Sequence, residues 1–342
     1  MFVLKSNITL GQFKKVLPHD VKISKSVYSY VDRAVIKMPT TARLKRANEV
    51  LTESAPTAKQ FIEGDFVNIE LGYNGKMVNE FTGFISKINF GTPLEIECEG
   101  YSYLLRKKRY LKSFKNTSLI EVLKFLIIGT GITLSKDHIV DMPLPTILFE
   151  NQNGTECLEK IKNSLNNLIN IYFKGNVLHA ELFPVKPFIK TVYYKIGWNV
   201  ILDDSLKIKE PSNDVFIIKF NSTKNDGSKS EIEHKEKKSG SLKTYTNDVE
   251  VIDVKTQITD PEAKKKLAKS YADKKRFQGC EGKIKGFLQP YCETAWKAAI
   301  TDEKFPDRSG IYVITSTEVT YGMSGARRTV EIGFKLKDLK DK

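Results

Sequence analysis

From Gly64 to Leu105 apolar and polar side chains alternate with the two-residue period that puts one face of a β-strand on a core and the other in water. Val67, Ile69 and Leu71 share one face of a first strand. After the turn Gly72-Tyr73-Asn74-Gly75, a second strand groups Phe81, Gly83 and Ile85 on one face, with Phe84 and Ile88 opposite. A third sets Leu94, Ile96 and Cys98 against Glu95, Glu97 and Glu99. Three strands alone make a marginal sheet, so the flanking chain must supply partner strands or a cover.

Before this meander the pattern predicts strands around Phe2–Leu10, Val21–Ile23, Val27–Tyr30 and Asp32–Met38. A polar connection from Asn48 to Lys59 follows, led by the basic cluster Arg43, Lys45 and Arg46. After the meander comes the basic run Arg106 to Arg109, which suits either a charged edge that discourages strand aggregation or a contact with an acidic neighbour. From Asn116 the period becomes helical. Leu119, Val122, Leu123 and Leu126 fall on one face, Ser118 and Glu121 are spaced as a capping box, and Gly129 supplies a stop. A second helix is predicted over Thr155–Leu168, then a hairpin, Ile169–Phe173 and Val177–Leu182, around Lys174-Gly175-Asn176.

Strands resume at Val192–Ile196 and Asp214–Phe220. Asn221–Lys243 is nearly free of large apolar residues and reads as a mobile loop or a protruding hairpin. A strand at Val249–Val254 precedes a helix over Pro261–Phe277, whose Lys264, Lys265, Lys266, Lys269, Lys274, Lys275 and Arg276 predict a basic exposed face. Ile284–Leu288 is a short strand and Gln289–Arg308 an irregular connection. The last element is a β-hairpin, Gly310–Thr320 and Arg327–Leu336. The organisation is mainly β with α+β parts: β-rich regions at 1–110 and 186–342 flank a small α+β domain at 111–185. The second β-rich region carries the Lys-rich insertion 221–243 and the basic helix 261–277.

The chain has 342 residues, enough for two or three domains with their own cores, and 40% of them are hydrophobic. Its formal net charge is +14, from 55 basic and 41 acidic residues, a balance that suits an anionic partner. A nucleic-acid-binding β-barrel is therefore the alternative reading, with Tyr101, Tyr103 and Tyr110 around Arg106 to Arg109 as its stacking candidates. The motifs of nucleic-acid recognition are missing, however, so direct recognition is not expected. Cys98, Cys157, Cys280 and Cys292 form no CxxC pair and are expected to be reduced thiols. No apolar run reaches the length of a membrane helix, and the N-terminus lacks the pattern of a cleaved leader, so folding in a cytoplasm without membrane insertion is expected.

The search for catalytic chemistry finds little. His19, His138, His179 and His234 stand in four unrelated contexts, and His179 lies in an alternating strand that makes it a core-edge residue. Gly322-Met323-Ser324-Gly325 lacks the second glycine of a nucleophile elbow and joins two strands, so it is a hairpin turn. Gly129-Thr130-Gly131 follows a helix, whereas a phosphate cradle precedes one. Asp203-Asp204 is explained by ordinary turn usage. No enzymatic activity, metal or cofactor is expected.

Taken in order, several stretches resemble the phage late-control D and tail-hub family. They are Gly64-Asp65-x-Val67-x-Ile69 with Gly72-Tyr73, Phe81-Thr82-Gly83-x-Ile85, Leu94-x-Ile96-x-Cys98, Tyr101 to Leu105, and Asn116-Thr117-Ser118-Leu119-x-Glu121-Val122-Leu123. The closing SGIYVITSTEVTYGMSGARRTVEIGF is similar to that family's last barrel hairpin. Two departures stand out: there is no needle-like repeat region, so the spike is expected as a separate chain, and the 221–243 segment is extra.

The resemblance implies two tube-like β-barrel domains and a structural role in the baseplate hub of a contractile tail: a phage tail, a type VI secretion system or an extracellular contractile injection system. It implies a homotrimer whose six barrels give pseudo-sixfold symmetry, matching a hexameric tail tube above and a trimeric spike below. Other baseplate or wedge proteins are the remaining implied partners, with cytoplasmic assembly before incorporation into the particle. Within that reading the candidate interface residues are Glu95, Glu97 and Glu99, lining a channel or facing Lys264, Lys265, Lys269 and Arg276 of an adjacent copy.

Overall fold

The computed structural model describes residues 3–45, 52–202, 206–209, 215–223, 229–236, 249–275 and 279–337. Within them the chain is mainly β with short helices, as the periodicity predicts. It divides into two compact units, each discontinuous in sequence: Met1–Tyr103 with Phe188–Leu206 and Glu281–Lys342, and Leu104–Pro187 with Lys207–Cys280. Lys207–Cys280 groups with Leu104–Pro187 in the second unit.

In the first unit the meander strands are Phe66–Tyr73, Lys76–Asn89 and Leu94–Glu99, paired antiparallel in that order. Tyr73 pairs with Lys76 across the loop Asn74-Gly75, whose φ values of 53° and 82° suit the two-residue turn that follows strand twist. Gly83 is needed for a close approach, because a Cβ there would lie 2.2 Å from the Glu99 carbonyl oxygen. The partners the meander required come from both ends of the chain. Leu4–Leu10 flanks Phe66–Tyr73, while Arg33–Met38 flanks Leu94–Glu99 and is followed by Asp20–Ser26 and then the closing hairpin, Gly310–Gly322 and Gly325–Lys337.

The inner face is the one the alternation singles out. Val67, Ile69, Leu71, Phe81, Ile85, Leu94, Ile96 and Cys98 are buried in one cluster with Ile8, Ile23, Ile36 and Val319. Full burial of each such Val, Ile, Leu or Phe contributes about 1.5–3 kcal/mol.

Ile23 opposite Val319 thus joins the two β-rich regions in a single sheet. Among the described residues that sheet forms no closed barrel, and Leu4–Leu10 at its end pairs with Phe66–Tyr73 alone among the named strands. Alternation reports which face is buried and is silent on which strand lies alongside.

Three shorter elements of this unit differ from expectation. Thr41–Lys45 and Thr52–Pro56 pair as a ribbon where a polar connection was predicted; Arg46 and residues 47–51 lie outside the described residues. Val27–Tyr30 turns the chain, with Val27 buried. Lys297–Thr301, inside the expected irregular connection, is a strand between Gly310–Gly322 and the parallel strand Thr191–Lys195. Its Ala298 and Ala299 have low strand preference, and burial overrides it.

In the second unit the helix Leu119–Ile127 begins at the expected capping box: Ser118 accepts from the Glu121 N–H, and the Glu121 carboxylate accepts from the Ser118 N–H at 3.0 Å. Leu119, Val122, Leu123 and Leu126 are its buried face. The second helix runs Gly154–Ser164, shorter than predicted, with a capping box from Asn153 and Glu156. Asn166 and Asn167 both have φ of 55°, which ends the helix although Leu165 and Leu168 continue its apolar period and are buried. The chain then forms the predicted hairpin, Ile169–Lys174 and Val177–Leu182, and Thr133–Ile139 pairs parallel to its second strand. A separate sheet sets Val215–Thr223 between Lys229–Glu236 and Val249–Lys255, and the helix Pro261–Lys275 packs on it. Within Asn221–Lys243, Lys229–Glu236 pairs antiparallel with Val215–Thr223; residues 224–228 and 237–243 lie outside the described residues.

Candidate interface

The three candidate carboxylates stand on one strand, and each meets a polar partner of its own unit. The register places Glu95 opposite Lys37, Glu97 opposite Val35 and Glu99 opposite Arg33 on one side, with Lys87 facing Glu97 on the other. Glu95 pairs with Lys37 Nζ at 3.0 Å. Glu97 accepts a hydrogen bond from Asn89 Nδ2. Glu99 is only 4% exposed and accepts from Ser102 Oγ at 2.7 Å. The row is thus a ladder of local pairs, with Glu95 and Glu97 half-buried and Glu99 inside the fold.

The basic helix resolves into two sets of lysines. Lys265, Lys266, Lys269, Lys274 and Lys275 are exposed, as predicted. Lys264 is not, and its place on the exposed face is corrected: it is fully buried and donates from Nζ to Ser222 Oγ at 2.7 Å. It follows Ala263 and precedes Leu267 by one turn, so the helical period carries it to the sheet side. Arg276, like Asp203 and Asp204, lies outside the described residues.

Two buried polar clusters carried no sequence signal as clusters. In the first unit Arg328 Nη2 lies 2.6 Å from Glu80 Oε1, and its Nε and Nη1 donate to the carbonyls of Leu288 and Cys292. The guanidinium also stands 5.0 Å from the Tyr291 ring centroid. In the second unit Glu181 accepts from Tyr172 OH at 2.9 Å and meets His138 Nδ1 at 3.1 Å, while His179 stacks on Tyr172. Burial pushes the Glu181 carboxyl up to about 7 and pulls His179 down to about 3. His138 is also lowered, by burial first and then by Lys186 and Lys174. The four residues come from three strands of one sheet, so only the tertiary register brings them together.

Cys98, Cys157, Cys280 and Cys292 are all buried and unpaired with one another. Gly322 and Gly325 flank the two-residue turn Met323-Ser324, with Gly325 at φ 97°, so this segment is a hairpin turn. Among the described residues no group of three or more His, Cys, Asp or Glu side chains could hold a metal ion. No described helix is long and apolar enough to cross a membrane.

By sequence, no family model and no curated protein matches the chain. By structure it is similar to the 43 kDa tail protein of prophage MuSo2 from Shewanella oneidensis, with 13% identity, a TM-score of 0.60, and coverage of 96% of this chain and 97% of that one. It is likewise similar to the tail protein from Neisseria meningitidis MC58, with 12% identity, a TM-score of 0.61 and 96% of each chain covered. The fold is a tail-protein fold. A third likeness, 7% identical with a TM-score of 0.57 over 96% of this chain and 78% of the other, is to the E. coli c3393 protein, a component of the type VI secretion system with structural similarity to the T4 tail proteins gp27 and gp5. The resemblance to tail-hub proteins therefore holds at the level of fold, while identities this low leave the roles of individual residues to the geometry of this chain.

Proposed function

We propose that the chain is a structural component of the baseplate of a contractile tail or injection machine, the homotrimeric hub that adapts a hexameric tube to a trimeric spike. One observation carries the reading: the tail-protein fold extends over 96% of the chain, so the likeness is to the whole architecture and not to a shared strand motif. The likeness to a type VI secretion component that itself resembles gp27 and gp5 supports the hub within that class. In this reading the role is non-enzymatic: the protein supplies surfaces and a channel, with tube, spike and neighbouring baseplate proteins as partners. Three copies would together build the tube-like ring, because an open sheet leaves strand edges that assembly can cover. The exposed Lys265 and Lys269 are the candidates for a contact between copies.

Light scattering of the purified chain, alone and with a candidate spike protein, tests the reading. The expected mass is three times that of the chain. A monomer at every concentration, with and without the spike, overturns it.

A further inference from the structure

At one end of the first unit, the loops of the meander and of the closing hairpin border a cleft of about 720 Å³. Its apolar part is made by Leu4, Tyr73, Phe287 and Ala326, and its charged part by Lys76 and Arg327. The described lining residues include two cations and no carboxylate. Arg327 stands with its guanidinium 5.1 Å from the Phe287 ring centroid and donates from Nη1 to the Ala326 carbonyl at 2.8 Å. Among the described residues these are its only polar and ring contacts, so a guanidinium with five N–H groups is held in place with donors to spare. Lys76 is exposed and has no ion pair among the described residues. Asn74 and Gln289 add amide groups at the rim.

We propose that this cleft binds a peptide segment of a partner chain that presents an apolar side chain next to a carboxylate. The charge of the lining selects the anion, since two cations without a carboxylate are complementary to one negative group. The aromatic and aliphatic walls select the neighbour, because a bare inorganic anion would leave Tyr73, Leu4 and Phe287 uncovered. The volume exceeds one side chain, and the side-chain NH2 groups of Asn74 and Gln289, whose oxygens already accept from the N–H groups of Val3 and Tyr291, can donate to a peptide carbonyl. The inference rests on the first unit alone and stands apart from the oligomeric reading.

Fluorescence anisotropy of labelled ten-residue peptides tests it. Three peptides of otherwise identical Gly-Ser sequence carry Leu-Glu, Leu-Gln or Ser-Glu at the centre. The Leu-Glu peptide is expected to bind about tenfold more tightly than either of the others, and Lys76→Gln to weaken it by about tenfold while leaving Leu-Gln binding unchanged. Arg327→Gln should act in the same direction, but it also loses a packed contact. Lys76, at an exposed turn, keeps the test independent of folding. Equal binding of Leu-Glu and Leu-Gln, no binding of any peptide at millimolar concentration, or unlabelled octanoate competing as well as the free Leu-Glu peptide would overturn the proposal.

Discussion

Arg328 and Glu80, 248 positions apart in the chain, meet as an ion pair at 2.6 Å whose side chains are 3% and 5% exposed. The pair ties the longest strand of the meander, Lys76–Asn89, to the closing hairpin, and Arg328 also donates to two backbone carbonyls. Removing one member strands the other charge in the interior, a loss of about 3–5 kcal/mol. Arg328→Met should therefore lower the guanidinium unfolding midpoint sharply. Arg328→Lys should fall between, because an ammonium cannot reproduce the forked donors. The joint change Arg328→Met with Glu80→Met should recover most of the loss, and a single variant as stable as the parent would refute the account.

What the sequence makes legible follows from distance along the chain. Ser118 and Glu121 are three residues apart, and their capping box was readable from spacing. Asn153 and Glu156 carry the same spacing and start the second helix at Gly154, one residue before the predicted Thr155. At its other end Leu165 and Leu168 keep the apolar period while Asn166 and Asn167 leave the helical region. The glutamate row at 95, 97 and 99 was visible as alternation, but its partners Lys37, Asn89 and Ser102 come from three other segments. Glu80 looks like a charge on the polar side of its strand, whereas Arg328 shares the two-residue period of the buried Val330 and Ile332, and nothing in the sequence joins two positions so far apart.

The Glu181 cluster should make stability depend on pH in two opposing ways. Glu181, raised from 4.5 to about 7, keeps a proton in the folded chain that the unfolded chain has already released. Its contribution is fully present below about pH 4.5 and is lost as the pH rises through about 7. His179, lowered from 6.5 to about 3, acts in reverse: its contribution is present above about pH 6.5 and is lost as the pH falls toward 3. His138, also lowered, adds to the histidine side, and Lys174, Lys186 and Asp137 are the charges facing the cluster. Glu181→Gln can still accept from Tyr172 and bond His138 while removing the titrating carboxyl group. The stability of the variant relative to the parent should rise between about pH 4.5 and 7 and level off above, as read from denaturation midpoints. A difference independent of pH would contradict the burial of a titrating Glu181.

Lys264 and its neighbours on the helix Pro261–Lys275 should separate cleanly. Lys264→Ala leaves the buried Ser222 hydroxyl without its 2.7 Å donor and should cost about 1–3 kcal/mol. Lys265→Ala and Lys269→Ala should stay within about 0.5 kcal/mol, because both side chains are exposed. If these two lysines contact another copy, Lys265→Glu with Lys269→Glu should lower the mass seen by light scattering while thermal unfolding of the isolated chain stays unchanged. An unaltered mass would remove them from the interface.

Asn199 guards a strand edge. Thr191–Lys195 pairs with Lys297–Thr301 on one side, and on the other Asn199 Oδ1 accepts from the Lys195 N–H at 2.8 Å while its Nδ2 donates to the Tyr193 carbonyl at 2.9 Å. The side-chain amide thus occupies two backbone groups that a neighbouring strand would otherwise take, beside Tyr193 and Trp198, which are 72% and 80% exposed. Asn199→Ala frees both groups next to those aromatic rings and should promote edge pairing between chains. The expected result is concentration-dependent growth in scattering at a temperature where the parent stays at a fixed mass. Asn199→Ala with Tyr193→Lys should restore the parent behaviour, because a lysine on the strand opposes aggregation by charge and solvation. An Asn199→Ala protein whose mass matches the parent at all concentrations would mean that the edge is closed by something other than this amide.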